Sequence, residues 1–243
     1  MEKIKTKDAY NNWAKTYDAV DNKTRDLDAF VIKNKLTEIK AKTIIELGCG
    51  TGKNTSFLAA QCDKLIAVDF SKEMLLIAKN KIKNTNKNSS KNDDKNDNKN
   101  GGKINDKINN KNDNKNGNKI VFKQADITKK WTFGRANLIT CNLILEHIEN
   151  IDFTFEQAAK TLKKKGLFFI CEYHSFRQYQ GKGARFEKDG KELAVEYFVH
   201  HISDFCEAAK RNGFILNDLQ EWFDDNDRTT MPRLTSFLFQ KRN

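Results

Sequence analysis

The sequence predicts an α/β protein, with an open, mostly parallel sheet wrapped by helices on both faces. Three observations carry that expectation. Short β-branched or aromatic runs alternate with stretches whose apolar residues recur at helical spacing. The first such run passes through an acidic residue into a glycine-rich loop that opens a helix. Two runs near the end of the chain follow one another with no helix between them. Strand–helix alternation means parallel strands joined by right-handed crossovers. Two strands in direct succession imply one antiparallel member, expected at the end of the sheet.

Taken in order, two helical pieces come first, at roughly 8–18 and 25–40. The strands are TIIELG (43–48), KLIAVDF (64–70), IVFKQADI (120–127), ANLITCN (136–142) and GLFFICEY (166–173). Between them lie helical patterns at 55–62, 71–82 and 154–165, with Ser71 placed as an N-cap and Gly166 as a C-terminal stop. A helix over 203–212 is stopped by Gly213, and the strands 214–223 and 233–241 follow. The linker between these two strands holds the only proline, Pro232. Residues 174–200 offer no pattern that assigns them.

At 243 residues the chain suffices for one well-buried domain, with or without an appendage. Its hydrophobic content of 38% is low for a globular protein, and one segment explains much of this. Residues 81–119 hold eleven lysines, five aspartates and fourteen asparagines, a net +6 out of the chain's +11. Lysine recurs there at every fourth position, which in a helix stacks like charges, and asparagine is a poor helix former. So few apolar residues cannot offset the entropy of ordering. Residues 84–118 are therefore expected to form a disordered insertion, with a basic tether for RNA or an acidic partner as the alternative. The insertion precedes a strand, so it leaves the amino-terminal edge of the sheet, whereas ligands in open α/β sheets bind outside the carboxyl edge.

The five cysteines are scattered and never form a C-x-x-C pair, which points to a reducing compartment and away from a disulfide framework or a zinc site. No apolar stretch nears the length of a membrane span, and the opening residues lack a leader's apolar core. A soluble cytoplasmic protein without a metal is expected.

The loop IIELGCGTGKNT (44–55) decides which ligand the carboxyl edge takes. A phosphate-binding P-loop needs a glycine five positions before Gly52, where Leu47 stands, and Ser or Thr after Lys53, where Asn54 stands. The dinucleotide fingerprint needs glycine at Lys53 or Thr55. What remains is Glu46 followed by Gly48, Gly50 and Gly52, whose bare backbone admits a close ligand beside free helix-start N–H groups. The second strand ends in Asp69, placed to accept both hydroxyls of a ribose or else to cap the next helix. The third ends in Asp126 and Ile127, suited to an exocyclic amine and an aromatic ring, and the fourth puts Asn142 beside the glycine loop.

In this order IIELGCGTG, VDFSKEML, QADI, NLILEHI and LKKKGLFFICEYH resemble the class I S-adenosylmethionine-dependent methyltransferases, in the small-molecule branch that includes ubiquinone, menaquinone and biotin-pathway enzymes. The resemblance spans roughly 8–241, apart from the insertion and 174–200. It implies a Rossmann-like methyltransferase fold with a seven-stranded sheet over 43–241 and an N-terminal helical lid over 1–42. It also implies S-adenosyl-L-methionine as cofactor. Glu46, Gly48, Gly50 and Gly52 would face its methionine end, and Asp69 would hold the ribose. Phe70, Met74, Asp126 and Ile127 would surround the adenine, and Asn142 would lie near the sulfonium. Trp13 and Tyr17, in AYNNWAKTYD, are similar to the aromatic segment that folds over the cofactor in that branch, or else form a helix's apolar face.

Methyl transfer needs a base only where the acceptor arrives protonated. The candidates are His147, His201 and Tyr173 for catalysis, and Arg185, His174 and His200 for contact with the acceptor. Each also has a plain structural reading. The acceptor expected is a small molecule methylated at oxygen. Methylation of tRNA or protein, and a scaffold that binds the cofactor without turnover, are the alternatives. A mild +5 outside the insertion and the lack of a separate recognition domain weigh against nucleic acid.

Overall fold

The computed structural model describes residues 3–93, 119–188 and 190–243. The chain opens with β1 (Lys3–Ile4), α1 (Thr6–Trp13) and α2 (Lys23–Leu36). The alternating section follows: β2 (Ala41–Leu47), α3 (Thr55–Ala59), β3 (Cys62–Asp69), α4 (Lys72–Asp93), β4 (Lys119–Gln124), β5 (Ala136–Asn142), α5 (Ile151–Thr161) and β6 (Leu162–Tyr173). Then come α6 (Ser175–Tyr179), β7 (Arg185–Lys188), β8 (Lys191–Val195), α7 (Ile202–Arg211), β9 (Phe214–Trp222) and β10 (Leu234–Lys241).

Seven strands form one sheet in the order β4-β3-β2-β5-β6-β10-β9. β2, β3, β4, β5 and β6 pair in parallel, and β10 pairs antiparallel with both β6 and β9. The antiparallel strand is therefore wedged one position inside the edge, with β9 outermost, rather than at the end of the sheet.

Strand alternation sends neighbouring residues to opposite faces, and the core divides accordingly. Ile45, Ile66, Ile139 and Phe168 face α5 and α7, packing with Phe155, Phe205 and Phe214. Ile44, Leu65, Leu138 and Phe169 face α2 and α3, packing with Val31, Ile32, Leu36 and Leu58.

Three elements depart from the sequence pattern. The helix expected over 154–165 stops at Thr161, and Leu162–Lys165 already belong to β6. Lys165 takes a left-handed φ of 58°, and pairing with β5 slips between Ala136 and Leu138. Gly166 thus lies in a strand irregularity instead of ending a helix. A Cβ there would meet the Lys163 carbonyl oxygen at 2.9 Å, so glycine fits where a side chain would not. The helix expected over 71–82 runs on to Asp93, because each residue added to an existing helix gains a hydrogen bond without a new nucleus. Ser71 caps it, its hydroxyl accepting the Met74 N–H. The rest of the Lys/Asn-rich insertion, 94–118, lies outside the described residues. Its far end rejoins at Lys119, which pairs with Lys64 at the amino edge of the sheet.

The third departure lies in 174–200. Here β7 and β8 form a hairpin, and β1 pairs in parallel with β8 to make a separate three-stranded sheet. The first residues and this hairpin therefore sit together above the carboxyl edge of the main sheet.

Candidate active site

A cleft of about 410 Å³ opens at the carboxyl edge of β2, β3, β4 and β5. Its floor is the glycine loop. Gly48, Gly50 and Gly52 all have positive φ (62°, 52° and 82°), but they serve different ends. A Cβ on Gly50 would meet nothing within 4 Å, so its bare backbone faces the cleft. A Cβ on Gly48 would lie 2.0 Å from Ile144 Cδ1, so this glycine lets the β5 loop close against β2. Gly52 packs against α4, where a Cβ would come within 3.1 Å of Ala78 Cβ, and it does not line the cleft.

Asp69 ends β3 at the cleft wall, its Oδ2 accepting the Gly50 N–H (2.8 Å) and its Oδ1 the Ser71 N–H (2.8 Å). Each carboxylate oxygen keeps a further lone pair. Burial pushes this carboxyl up to about 6, so it is ionised at neutral pH. Asp126 holds the first residues after β4 in place, accepting from the Thr128 N–H and hydroxyl at 2.9 and 2.7 Å. Phe70, Met74 and Ile127 supply apolar surface to the same cleft. Glu46 is buried beneath the loop and accepts from the Thr55 hydroxyl (2.7 Å), and burial pushes it up to about 8.

The roof comes from the N-terminal segment. Tyr10 and Tyr17 line the cleft, with Tyr10 edge-on to Phe70 at 6.1 Å. Trp13 is buried behind them, against Ala9 and Val195, and does not reach the cleft. Asp18 ties this segment down, accepting from the Thr51 hydroxyl (2.9 Å) and pairing with Lys81 (2.7 Å). His147 stands opposite. Its Nδ1 lies 2.8 Å from the Glu196 carbonyl oxygen, which only accepts, so Nδ1 carries the proton. In the neutral ring Nε2 then accepts from the Tyr10 hydroxyl at 2.9 Å. Burial raises the Tyr10 phenol well above its ordinary range, so it remains a donor at neutral pH.

A family model for a methyltransferase domain matches residues 21–227, most of the chain. The chain belongs to this methyltransferase-domain family. An uncharacterised methyltransferase of Emericella nidulans is 25% identical over 236 residues, covering 88% of this chain and 77% of the relative. Among solved structures, a S-adenosylmethionine-dependent methyltransferase from Clostridium acetobutylicum superposes with a TM-score of 0.66 at 18% identity, covering 97% of this chain and all of the other. The N-methyltransferase NodS from Bradyrhizobium japonicum, solved with S-adenosyl-L-homocysteine, gives 0.64 at 13% identity, covering 98% and 99%. These likenesses confirm the seven-stranded, mostly parallel fold.

Of the residues singled out in the methyltransferase sequence, Tyr17, Glu46, Gly48, Gly50, Asp69, Phe70, Met74, Asp126, Ile127, Asn142 and His147 line one cleft. The other catalytic and acceptor candidates lie elsewhere. Tyr173 is half-buried and packs against the core on the α2 and α3 face. His174 is buried, hydrogen-bonded to Glu221 (2.9 Å), and its Nδ1 accepts the Phe176 N–H as the cap of α6. His201 caps α7 and bonds the Tyr179 hydroxyl (2.7 Å), and His200 donates to the Ile148 carbonyl (2.7 Å). Arg185 donates to the Gly181 carbonyl at the hairpin base. His174, His200, His201 and Arg185 sit at element boundaries, where polar side chains can satisfy backbone that a helix or strand end leaves open.

Sequence reading missed Tyr10, Arg25, Asp28 and Asn54, which all line the cleft. It also missed Glu172, one layer below. Glu172 accepts the Ile144 and Leu145 N–H groups (both 2.9 Å) and so holds the turn in which Leu143 adopts a left-handed φ of 56°. Burial pushes Glu172 up to about 8.

A pH dependence of stability follows. Glu46, Glu172 and Asp69 have folded pKa values above the ordinary carboxylate range, so the native state retains protons that the unfolded chain releases. Stability therefore falls as pH rises from about 4 to about 8, by at most about 1.4 kcal/mol per pH unit per group. Thermal melts of the ligand-free protein are expected to show a higher midpoint at pH 5 than at pH 8. Glu172→Gln should flatten that slope, and an unchanged slope would contradict the burial argument.

Proposed function

We propose that the cleft binds S-adenosyl-L-methionine and that the enzyme methylates a small molecule at oxygen. The observation that carries the cofactor's placement is Asp69, an ionised carboxylate with spare lone pairs in the same cleft as the open Gly50 backbone. In this reading Asp69 takes the ribose hydroxyls, Asp126 the adenine amine, and Phe70, Met74 and Ile127 the ring. Residues 1–42 act as a lid through Tyr10, Tyr17 and the Asp18 tie.

S-adenosyl-L-methionine supplies a methyl group on an already activated sulfonium, so the protein's tasks are alignment and exclusion of water. An acceptor hydroxyl also has to lose its proton. The fixed tautomer of His147 leaves Nε2 as a proton acceptor at the cleft wall, reached through the Tyr10 hydroxyl that it already accepts from. The resulting imidazolium would lie 3.8 Å from the buried Glu146 carboxyl. This chain favours oxygen as the acceptor atom, since an amine that arrives neutral needs no such group.

Transfer of labelled methyl to a panel of hydroxyl compounds, amines and tRNA tests the reading. Label confined to tRNA, with affinity collapsing as salt rises, would replace it with the nucleic-acid alternative. On a hydroxyl acceptor, His147→Ala is expected to slow turnover about a hundredfold while leaving S-adenosylhomocysteine affinity unchanged. The loss should shrink as pH approaches the acceptor's own pKa. A pH-independent loss would remove His147 from proton transfer.

A further inference from the structure

A base at the cleft wall acquires a charge that its surroundings have to absorb. With His147 as that base, the acceptor's hydroxyl proton passes to the Tyr10 oxygen as the Tyr10 proton passes to Nε2. The electron pair so freed forms the O–CH3 bond, the C–S bond breaks, and its pair stays on sulfur. Tyr10 is again a phenol, and a positive charge is left on an imidazole whose side chain is 5% exposed. A buried charge without a partner is costly.

Glu146 is placed to meet that charge. Its side chain is buried, with Oε1 3.8 Å from His147 Nε2 and Oε2 accepting from the Gln178 amide at 3.3 Å. Both residues are pinned from outside their own turn. The Phe198 N–H donates to the Glu146 carbonyl (2.7 Å), His147 Nδ1 donates to the Glu196 carbonyl, and the Tyr197 hydroxyl donates to the Gln178 carbonyl (3.3 Å). Segment 196–198 and α6 therefore hold carboxylate and imidazole in one arrangement.

The other titratable groups around the Tyr10–His147 pair are Tyr17, Asp69 and Glu172. Burial pushes Tyr17 up to about 12, so it stays neutral, and Asp69 is engaged by the Gly50 and Ser71 N–H groups. Burial and then the Glu146 charge push Glu172 up to about 8, so Glu172 keeps its proton near neutral pH. Burial raises Glu146 too, but His147 and Gln178 draw it back, which leaves Glu146 as the anion of the two.

We infer that Glu146 is a positioning residue for proton transfer, its carboxylate held by Gln178 and balancing the charge that His147 gains. This rests on the reading of His147 as the base and adds a residue that does not line the cleft itself.

NMR titration of the His147 Cε1–H signal in the full, ligand-free chain tests the pairing without an acceptor. It is the one of four histidine signals that His147→Ala removes. Glu146→Gln is expected to lower its midpoint by about one pH unit, because an anion within about 4–6 Å favours the charged ring. Glu146→Asp keeps the anion and should restore most of the midpoint. Gln178→Leu leaves the carboxylate unheld, should give a smaller shift of the same sign, and is decisive where Glu146→Gln does not fold. An unmoved or raised midpoint overturns the pairing and leaves His147 as the base. In turnover on a hydroxyl acceptor, Glu146→Gln should lower kcat about tenfold with KM little changed, and should move the acid limb of the pH profile down with the midpoint. A shifted midpoint with an unmoved limb would take proton transfer away from His147, and the role of Glu146 with it.

Discussion

Asp69→Ala is expected to weaken S-adenosylhomocysteine binding by about a thousandfold. Two hydrogen bonds from ribose hydroxyls to a charged carboxylate contribute roughly 1.5–3 kcal/mol each, and tenfold in affinity corresponds to about 1.4 kcal/mol. The same change frees the Gly50 and Ser71 N–H groups, which Asp69 now anchors at 2.8 Å, so the glycine loop loses its tie to the end of β3. Asp69→Asn separates the two effects. Its side-chain oxygen can still accept one main-chain N–H, and the charge is gone. An intermediate loss for Asn, with the melting temperature near wild type, is the expected pattern in titration and thermal scans. Wild-type affinity in Asp69→Ala would move the ribose to another part of the molecule.

Gly48→Ala should abolish measurable binding of the same ligand by a steric route. The residue has a φ of 62°, a conformation costing an alanine about 1–2 kcal/mol, and the new methyl would fall 2.0 and 2.5 Å from Ile144 Cδ1 and Cγ1. Ile144 itself lines the cleft, so the contact is relieved by driving that side chain into the ligand space or by lifting the β5 loop. Pairing the change with Ile144→Ala removes the colliding atoms and keeps the strained φ. Recovery of part of the affinity in the double variant is the expected result. No recovery would place the whole effect in the backbone conformation of the loop.

The sheet was legible because period-two apolar runs bounded by Gly and Asp carry their own signal, as the exact match of β5 to 136–142 illustrates. The cleft floor was legible for a related reason. Glu46, Gly50, Asp69 and Asp126 lie at strand ends, where chain position alone fixes their place on the sheet edge. Arg25 and Asp28 left no such trace. On α2 they read as ordinary charged residues of a polar helix, and only tertiary packing buries them. Tyr10 fell inside a segment read for Trp13 and Tyr17, and helix direction turns Trp13 inward and Tyr10 toward His147. Lys163, Lys164 and Lys165 have the look of cations closing a helix. They belong instead to a strand whose irregular start is set by pairing with β5, an interaction that no local window contains. The roof over 174–200 was opaque because β8 takes its partner from residues 3 and 4, the most distant pairing in the described chain.

The position of β10 has a bearing on how the molecule is made. β2, β3, β5 and β6 can zip together in the order in which they leave the ribosome, yet β6 then waits with a bare hydrogen-bonding edge that includes Phe168, Phe169 and Ile170. Its partner is synthesised some sixty residues later, and β9, already formed, has nothing to hold until the same strand arrives. An unpaired apolar edge is a template for pairing with other chains. During synthesis the five strands β2 to β6 can therefore pair before β10 exists, and β10 is the strand that joins β9 to them.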